Sequence, residues 1–267
     1  LREQTTEQEH FAVLGGGFIG AEIAAALSVN GKKVTMVFPE AAICGLIFPK
    51  EFALALDRYY QNHGVTVLPG SKPCRISGDR GQFEIQIENG HKISADAVVA
   101  GIGISPQTEL ASNAGLAVDD GIIVDEQLRT RNPDIFAAGD AARFYNPLLG
   151  KRMRVEHEDN ALTMGETAGR NMSGEKELYH HLPFFYSDLF DAGYEAVGET
   201  DSSMETVTRL NQPEDKGCIF YLQDGRVRGV VFWNVFGKVD AGRELIAAPG
   251  PHSADGLRDW EENRLAD

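Results

Sequence analysis

Apolar runs and helical stripes alternate along the first hundred residues. Residues 11–14 are a short apolar run, residues 21–27 are good helix formers, and residues 34–38 are a second apolar, β-branched-rich run. That order predicts strand, helix, strand. Residues 41–49 predict a loop, with Pro49 placed to open a helix over residues 50–62. Phe52, Leu54, Ala55, Leu56, Tyr59 and Tyr60 would form its apolar stripe, and His63-Gly64 would end it. A third β run at residues 65–68 extends the series, so a parallel sheet is expected. Phe83, Ile85 and Ile87 then alternate with polar residues, Asn89-Gly90 signals a type I′ hairpin, and residues 91–93 return. A β-meander is thus inserted before the next buried strand, residues 97–100.

The pattern changes after Ser105. Residues 121–124 predict a short strand, residues 130–133 a turn, and residues 135–140 a strand ending in Gly139-Asp140. Residues 154–157 lead into a helix over about residues 159–172, with Ala161, Met164, Ala168 and Met172 near helical spacing. Beyond Gly174 come short β runs at 184–186, 194–197, 206–210, 218–221 and 229–233, with a turn at Asp224-Gly225 and a helix over 239–247. Residues 1–10 are polar and read as a linker or a loose entry into the first strand. The expected organisation is a first α/β domain over 1–104, a second segment over 105–178, and an α+β domain over 179–267.

The loop after the first strand carries the chemistry. Gly15, Gly17 and Gly20 satisfy G-x-G-x-x-G between a strand and a helix, and Glu40 ends the second strand twenty residues after Gly20. Gly15 allows the tight turn, Gly17 lets backbone approach a pyrophosphate, and Gly20 lets helix and strand pack closely. The helix start offers unpaired N–H groups to phosphates. Glu40 can accept from a ribose 2′-hydroxyl and would repel a 2′-phosphate. A Rossmann-type site for NAD rather than NADP is expected, with Gly101, Gly103 and Pro106 forming a glycine-rich approach on the same side of the sheet.

Bulk properties narrow the class. The 267 residues are 42% hydrophobic and 24% charged, ordinary for a globular protein of two or so domains. A net charge of −15 argues against sequence-independent nucleic-acid binding. The one basic cluster, Lys151, Arg152 and Arg154, is explained by a solvated loop as well as by any ligand. Cys44, Cys74 and Cys218 lie far apart with no C-x-x-C pair, against a disulfide scaffold or a structural zinc and in keeping with a reducing, cytoplasmic setting. No apolar run is long enough to span a bilayer, and no metal site is expected. The chain begins at Leu1 rather than Met, so residues upstream of it are expected.

VLGGGFIGAEIA, GIGISPQTEL, PDIFAAGDAA, RVEHEDNALTMGETAGRNMSG, FYSDL and GYEAVGE follow one another in a telling order. Together they resemble the pyridine nucleotide–disulfide oxidoreductase family, in the branch of apoptosis-inducing factor and its prokaryotic ferredoxin-reductase-like relatives. The resemblance implies a flavoprotein whose NAD domain is inserted into an FAD domain, passing hydride from NADH to flavin and on to an acceptor. That acceptor is a redox protein or a small molecule; homodimerisation through the C-terminal domain is allowed.

Residue by residue, the resemblance places Gly16, Phe18 and Ile19 against NAD, with Phe18 either stacked on the nicotinamide or packed between helix and sheet. Glu22 would lie near the flavin, paired with a lysine of the first FAD half, or act only as an early helix acid. Gly103, Tyr186 and Glu195 would contact NAD, Tyr186 standing where the family can have Trp. Gly139 and Asp140 would meet the flavin's ribityl chain. Glu156, His157 and Glu158 would sit where nicotinamide and flavin meet, a helix N-terminus there favouring negative charge on the flavin. Leu46 replaces a family Lys. The family's first FAD half would precede the NAD domain, and only ten residues precede the first strand here. The expectation is therefore a fragment that binds FAD weakly or not at all and is inactive when isolated. An NADH-responsive redox-sensing interaction protein with slow turnover is the alternative.

Overall fold

The structure, a computed structural model, describes residues 2–79 and 81–265. A short helix α1 (Gln4–Glu7) precedes β1 (His10–Leu14), α2 (Phe18–Val29), β2 (Lys33–Val37), α3 (Lys50–Asn62) and β3 (Thr66–Leu68). An antiparallel excursion follows, made of β4 (Pro73–Asp79), β5 (Gln82–Ile87) and β6 (Lys92–Ala95). The chain then re-enters the first sheet as β7 (Ala97–Ala100), giving the all-parallel order β3-β2-β1-β7. Phe11, Ala12, Val13 and Leu14 are buried on both faces of β1, which is why that strand reads as an unbroken apolar run. One face packs on α2 and α3, and the other meets Ile85, Ile87 and Ala95 of the excursion.

The middle of the chain holds α4 (Glu109–Asn113), β8 (Ile122–Ile123), β9 (Ala142–Asn146), β10 (Lys151–Met153) and α5 (Glu158–Met172). The last part is a five-stranded antiparallel sheet, ordered β11-β12-β15-β14-β13. Its strands are β11 (Phe184–Leu189), β12 (Ala192–Gly198), β13 (Glu205–Thr208), β14 (Gly217–Gln223) and β15 (Arg226–Trp233). Helices α6 (Val239–Ala247) and α7 (Ala254–Leu265) close it. A parallel α/β sheet followed by an antiparallel sheet domain is thus the observed architecture.

The two sheets share one apolar core. The Phe48 ring meets Phe52, Tyr194 and Trp233 edge-on, with centroids 5.3–5.5 Å apart. Tyr221 Oη donates to the Ile47 carbonyl at 3.0 Å, and Tyr60 Oη donates to the Ala21 carbonyl at 3.0 Å. Such edge-on contacts and satisfied buried hydroxyls fix relative position as well as burying area. The start of α2 is therefore held against β11, which brings the glycine loop beside the last domain.

Several local expectations need correcting. Residues 135–140 are not a strand: Phe136 makes one isolated bridge to Arg129, and Gly139, at φ +72°, starts a 3₁₀ turn over Gly139–Ala141. The strand of that region is β9, beyond the Gly-Asp pair. At Asn89-Gly90 only Gly90 takes a left-handed conformation, φ +88°, and its N–H bonds to the Ile87 carbonyl at 2.9 Å. A type I′ turn needs positive φ at both central residues, so this hairpin uses another turn. Asp224 and Gly225 do both have positive φ, +52° and +72°, between β14 and β15. Residues 4–7 are helical, not linker. Leu54 and Met172 are exposed, because Ala53 and Asn171 face inward instead. Lys151, Arg152 and Arg154 are not a solvated loop: Lys151 pairs with Glu199, Arg152 donates to the Val124 carbonyl at 2.9 Å, and Arg154 pairs with Asp120 and Glu156.

Candidate functional site

Two clefts meet at the glycine loop. The first, about 680 Å³, opens at the carboxyl ends of β1, β2 and β7, where parallel α/β sheets place ligands. Gly15, Gly16 and Gly17 form one wall, Glu40 and Leu46 another, and Gly101, Ile102 and Gly103 a third. The glycines have separate reasons to be glycine. Gly15 sits at φ +110° against the Gly101 carbonyl, and a Cβ on Gly20 would run into the Gly15 carbonyl. Gly17 caps α2, and a Cβ there would meet nothing within 4 Å. Its side therefore faces open groove, as a loop that receives a phosphate requires. This cradle fits the pyrophosphate of a dinucleotide.

Residues 72–76, at the start of the meander, complete the groove, and sequence reasoning missed them. Nothing in their local pattern marks them, because it is the return of β7 to the main sheet that brings β4 over the loop.

The second cleft, about 530 Å³, lies on the other side of the loop. Phe18, Ile19 and Glu22 of α2 line it, with Glu156, His157, Glu158 and Asp159 at the start of α5 and Phe184, Phe185 and Tyr186 of β11. An aromatic ladder forms its floor. The Phe18 ring meets Phe185 edge-on at 4.7 Å, and Phe185 stacks on the His157 imidazole at 4.4 Å and 25°. Phe18 thus both packs and lines the cleft. Phe184 and Phe185 were not singled out from sequence; the run Phe184-Phe185-Tyr186 was the available signal. Tyr186 is 59% exposed, which leaves its ring free to meet a ligand.

The electrostatics of this cleft rest on α5. Burial against Phe185 pushes the His157 imidazole below its ordinary value, although Glu156, Asp140 and Asp159 pull the other way. The imidazole is therefore neutral at neutral pH; His157 is the residue that precedes the first turn of α5, but its side chain makes no capping hydrogen bond. The helix N-terminus also carries Glu158 and Asp159 in its first turn, so its partial positive charge is already partly offset. Arg154 Nη1 holds Glu156 at 2.6 Å. Asp159 accepts from His181 Nε2 at 2.5 Å, from the Phe184 amide at 3.1 Å and from Arg243 at 3.4 Å. Burial opposes its ionisation, but those partners hold the Asp159 carboxyl below its ordinary value. This cluster ties α5 to β11 and α6, and Arg243 also lies 5.7 Å over the Phe184 ring.

Other residues named from sequence fall outside the two clefts. Gly20 is buried beneath the loop. Gly139 is buried below α5 and Asp140 is exposed beside it, its backbone carbonyl accepting from Arg154 at 3.3 Å. The positive φ of Gly139 and an Asp140 carboxylate that no hydrogen bond or ion pair engages among the described residues leave a polar edge beside the start of α5, which fits a hydroxylated chain. Glu195 pairs across the sheet with Tyr186, and its carboxylate accepts from the Gly237 amide at 2.8 Å. No hydrogen bond or ion pair reaches the Glu22 carboxylate among the described residues. Among them, too, no cluster of His, Cys, Asp or Glu could hold a metal ion, and no helix is long and apolar enough to cross a membrane. All three cysteines are free.

A Gly-rich loop at a helix start, an acid three residues beyond the next strand and a parallel sheet that presents both at its carboxyl edge are the features of a Rossmann-type fold. Residues 1–165 match the pyridine nucleotide-disulphide oxidoreductase family, and the chain belongs to it. Residues 184–264 match the reductase C-terminal family. The anthranilate 1,2-dioxygenase system ferredoxin–NAD(+) reductase component of Burkholderia cepacia is 36% identical over 93% of this chain and 61% of its own length. The putative apoptosis-inducing factor 1, mitochondrial, of Drosophila melanogaster is 31% identical over 92% of this chain and 41% of its own. The ferredoxin reductase for the CYP199A2 system from Rhodopseudomonas palustris superposes with a TM-score of 0.87 at 28% identity, covering 100% of this chain and 67% of that one. The chain spans about half the length of the curated relatives it matches.

Proposed function

We propose that the first cleft binds NAD(H) and that the second is where its nicotinamide meets a flavin. The protein would then be an FAD-dependent NADH oxidoreductase, in which hydride passes from NADH to FAD, the group that relays electrons onward. One observation carries the reading: the glycine loop lines both clefts, Gly17 facing the first and Phe18 the second. A dinucleotide whose pyrophosphate rests on Gly15–Gly17 has its nicotinamide half directed towards Phe18 and Tyr186. Glu40 selects the unphosphorylated ribose. Phe18, Phe185 and His157 form a packed aromatic floor that excludes water, with the Glu22 carboxylate at its margin. Gly139 and Asp140 offer hydrogen bonds along the far edge.

The division into an NAD unit over 1–104, an FAD-side segment over 105–178 and an α+β unit over 179–267 follows from this reading. It is supported by the separate sheets those ranges build. The relatives named as ferredoxin reductases support a redox protein as acceptor. The free thiols support a reducing, cytoplasmic location.

A polypeptide of these 267 residues contributes one glycine-rich phosphate loop, which the NAD(H) reading uses, so we expect it to hold FAD weakly. The test is anaerobic titration of the purified chain with FAD, followed by NADH. The chain as purified should show no flavin band and no NADH oxidation, whereas saturating FAD should be bleached by NADH. Stoichiometric flavin in the purified chain would overturn the weak-FAD part. Absence of bleaching at saturating FAD would overturn the oxidoreductase reading.

A further inference from the structure

Resting on the NAD(H) reading, we propose that Arg75 of the meander is the cationic contact for the pyrophosphate of the bound dinucleotide. The groove holds the Glu40 carboxylate and two cationic side chains, Lys72 and Arg75. Lys72 is engaged with Glu88 at 2.8 Å. The Arg75 guanidinium makes no hydrogen bond or ion pair with any described residue, Glu40 included. A free arginine beside an open phosphate loop supplies a full charge where the helix start supplies only a partial one.

The backbone is built to deliver it. In β4, Pro73 pairs with Ile87 and Arg75 with Gln86, so the register slips at Cys74 and a β-bulge forms. A regular strand sends neighbouring side chains to opposite faces. Here the four consecutive residues Pro73, Cys74, Arg75 and Ile76 all line the groove. Re-aiming a side chain is what a bulge beside a binding site does. Cys74, the extra residue, is tied back through its thiol to the Gln86 carbonyl at 3.3 Å, leaving Arg75 to extend into the groove. β4 is an edge strand, and Arg75 is exposed on it, so its side chain can be exchanged without disturbing the core.

The experiment is calorimetric titration of the wild-type chain, Arg75→Gln and Arg75→Lys with NADH, NADPH, ADP and adenosine, at low and physiological salt. Arg75→Gln should bind NADH and ADP about ten-fold more weakly, from the loss of one charge-assisted contact. Adenosine binding should be unchanged, the salt dependence of NADH binding should become shallower, and Arg75→Lys should recover part of the loss. Wild-type binding of NADH that Arg75→Gln leaves unaltered overturns this proposal alone. A loss confined to NADPH also overturns it, since Arg75 would then read a 2′-phosphate. Failure of the wild-type chain to bind NADH or ADP overturns the NAD(H) reading and this proposal with it.

Discussion

Two alanine substitutions in one loop separate folding from binding. At Gly20, an added Cβ would lie 2.9 Å from the Gly15 carbonyl carbon and closer still to its oxygen. The carbon is about 0.5 Å short of ordinary contact and the oxygen much more so, and backbone rather than a flexible side chain stands in the way. Helix α2 must retreat from the loop, and the strain should cost about 1–3 kcal/mol, outweighing the roughly 1 kcal/mol that alanine gains in a helix. At Gly17 the same methyl meets nothing within 4 Å and points into the groove. Its effect on stability should stay below about 1 kcal/mol, as expected for glycine-to-alanine at a helix cap. The methyl would occupy the space of a phosphate oxygen, so NADH affinity should drop at least about ten-fold. Thermal melting paired with NADH titration reads both. Gly20→Ala should lose stability and affinity together, and Gly17→Ala should lose affinity alone. A Gly17→Ala chain that binds NADH as the wild type does would refute the placement of the pyrophosphate on this loop.

Two further outcomes test the second cleft. Phe185→Ala removes the ring between Phe18 and His157 and should cost about 2–3 kcal/mol, less than a fully buried phenylalanine because Phe185 is half-buried. The same change uncovers His157, whose pKa should rise back towards the ordinary 6.5 in an NMR titration. Asp159→Asn should destabilise the chain by about 1–3 kcal/mol at neutral pH by weakening the link to His181 and Arg243. The folded-state pKa of Asp159 lies below 3.8, so its stabilisation is complete above 3.8 and is lost as pH falls through the lowered value. The melting difference between wild type and Asp159→Asn should therefore hold steady from pH 7 to 5 and shrink only in stronger acid, as melting curves against pH would show.

What could be read from the chain was what local chemistry controls. β1, the glycine loop, α2 and β2 are dictated by an apolar run, a backbone that needs glycine, and helix formers in succession. The Asp224-Gly225 turn likewise needs only its two residues. β4 was missed because it is an exposed edge strand whose bulge destroys alternation. α7 was missed because its sequence is mostly polar, with Leu257 and Glu261 the buried side chains it presents. Residues 135–140 look like a strand by composition, yet among the described residues their one β pairing is the isolated bridge from Phe136 to Arg129. The site followed the same division. The glycine loop was legible, whereas the contacts of Phe185 with Phe18 and His157 join segments far apart in sequence and exist only once the two sheets share a core.

The central claim is that the first cleft takes NAD(H), with Glu40 at the adenosine ribose. Its most direct test is titration of the purified chain with NADH and NADPH under identical conditions, read by nucleotide fluorescence or calorimetry. The account predicts saturable one-to-one binding of NADH and binding of NADPH at least about ten-fold weaker, because a 2′-phosphate would face the Glu40 carboxylate. Equal affinity for the two nucleotides, or no saturable binding of NADH, would contradict it.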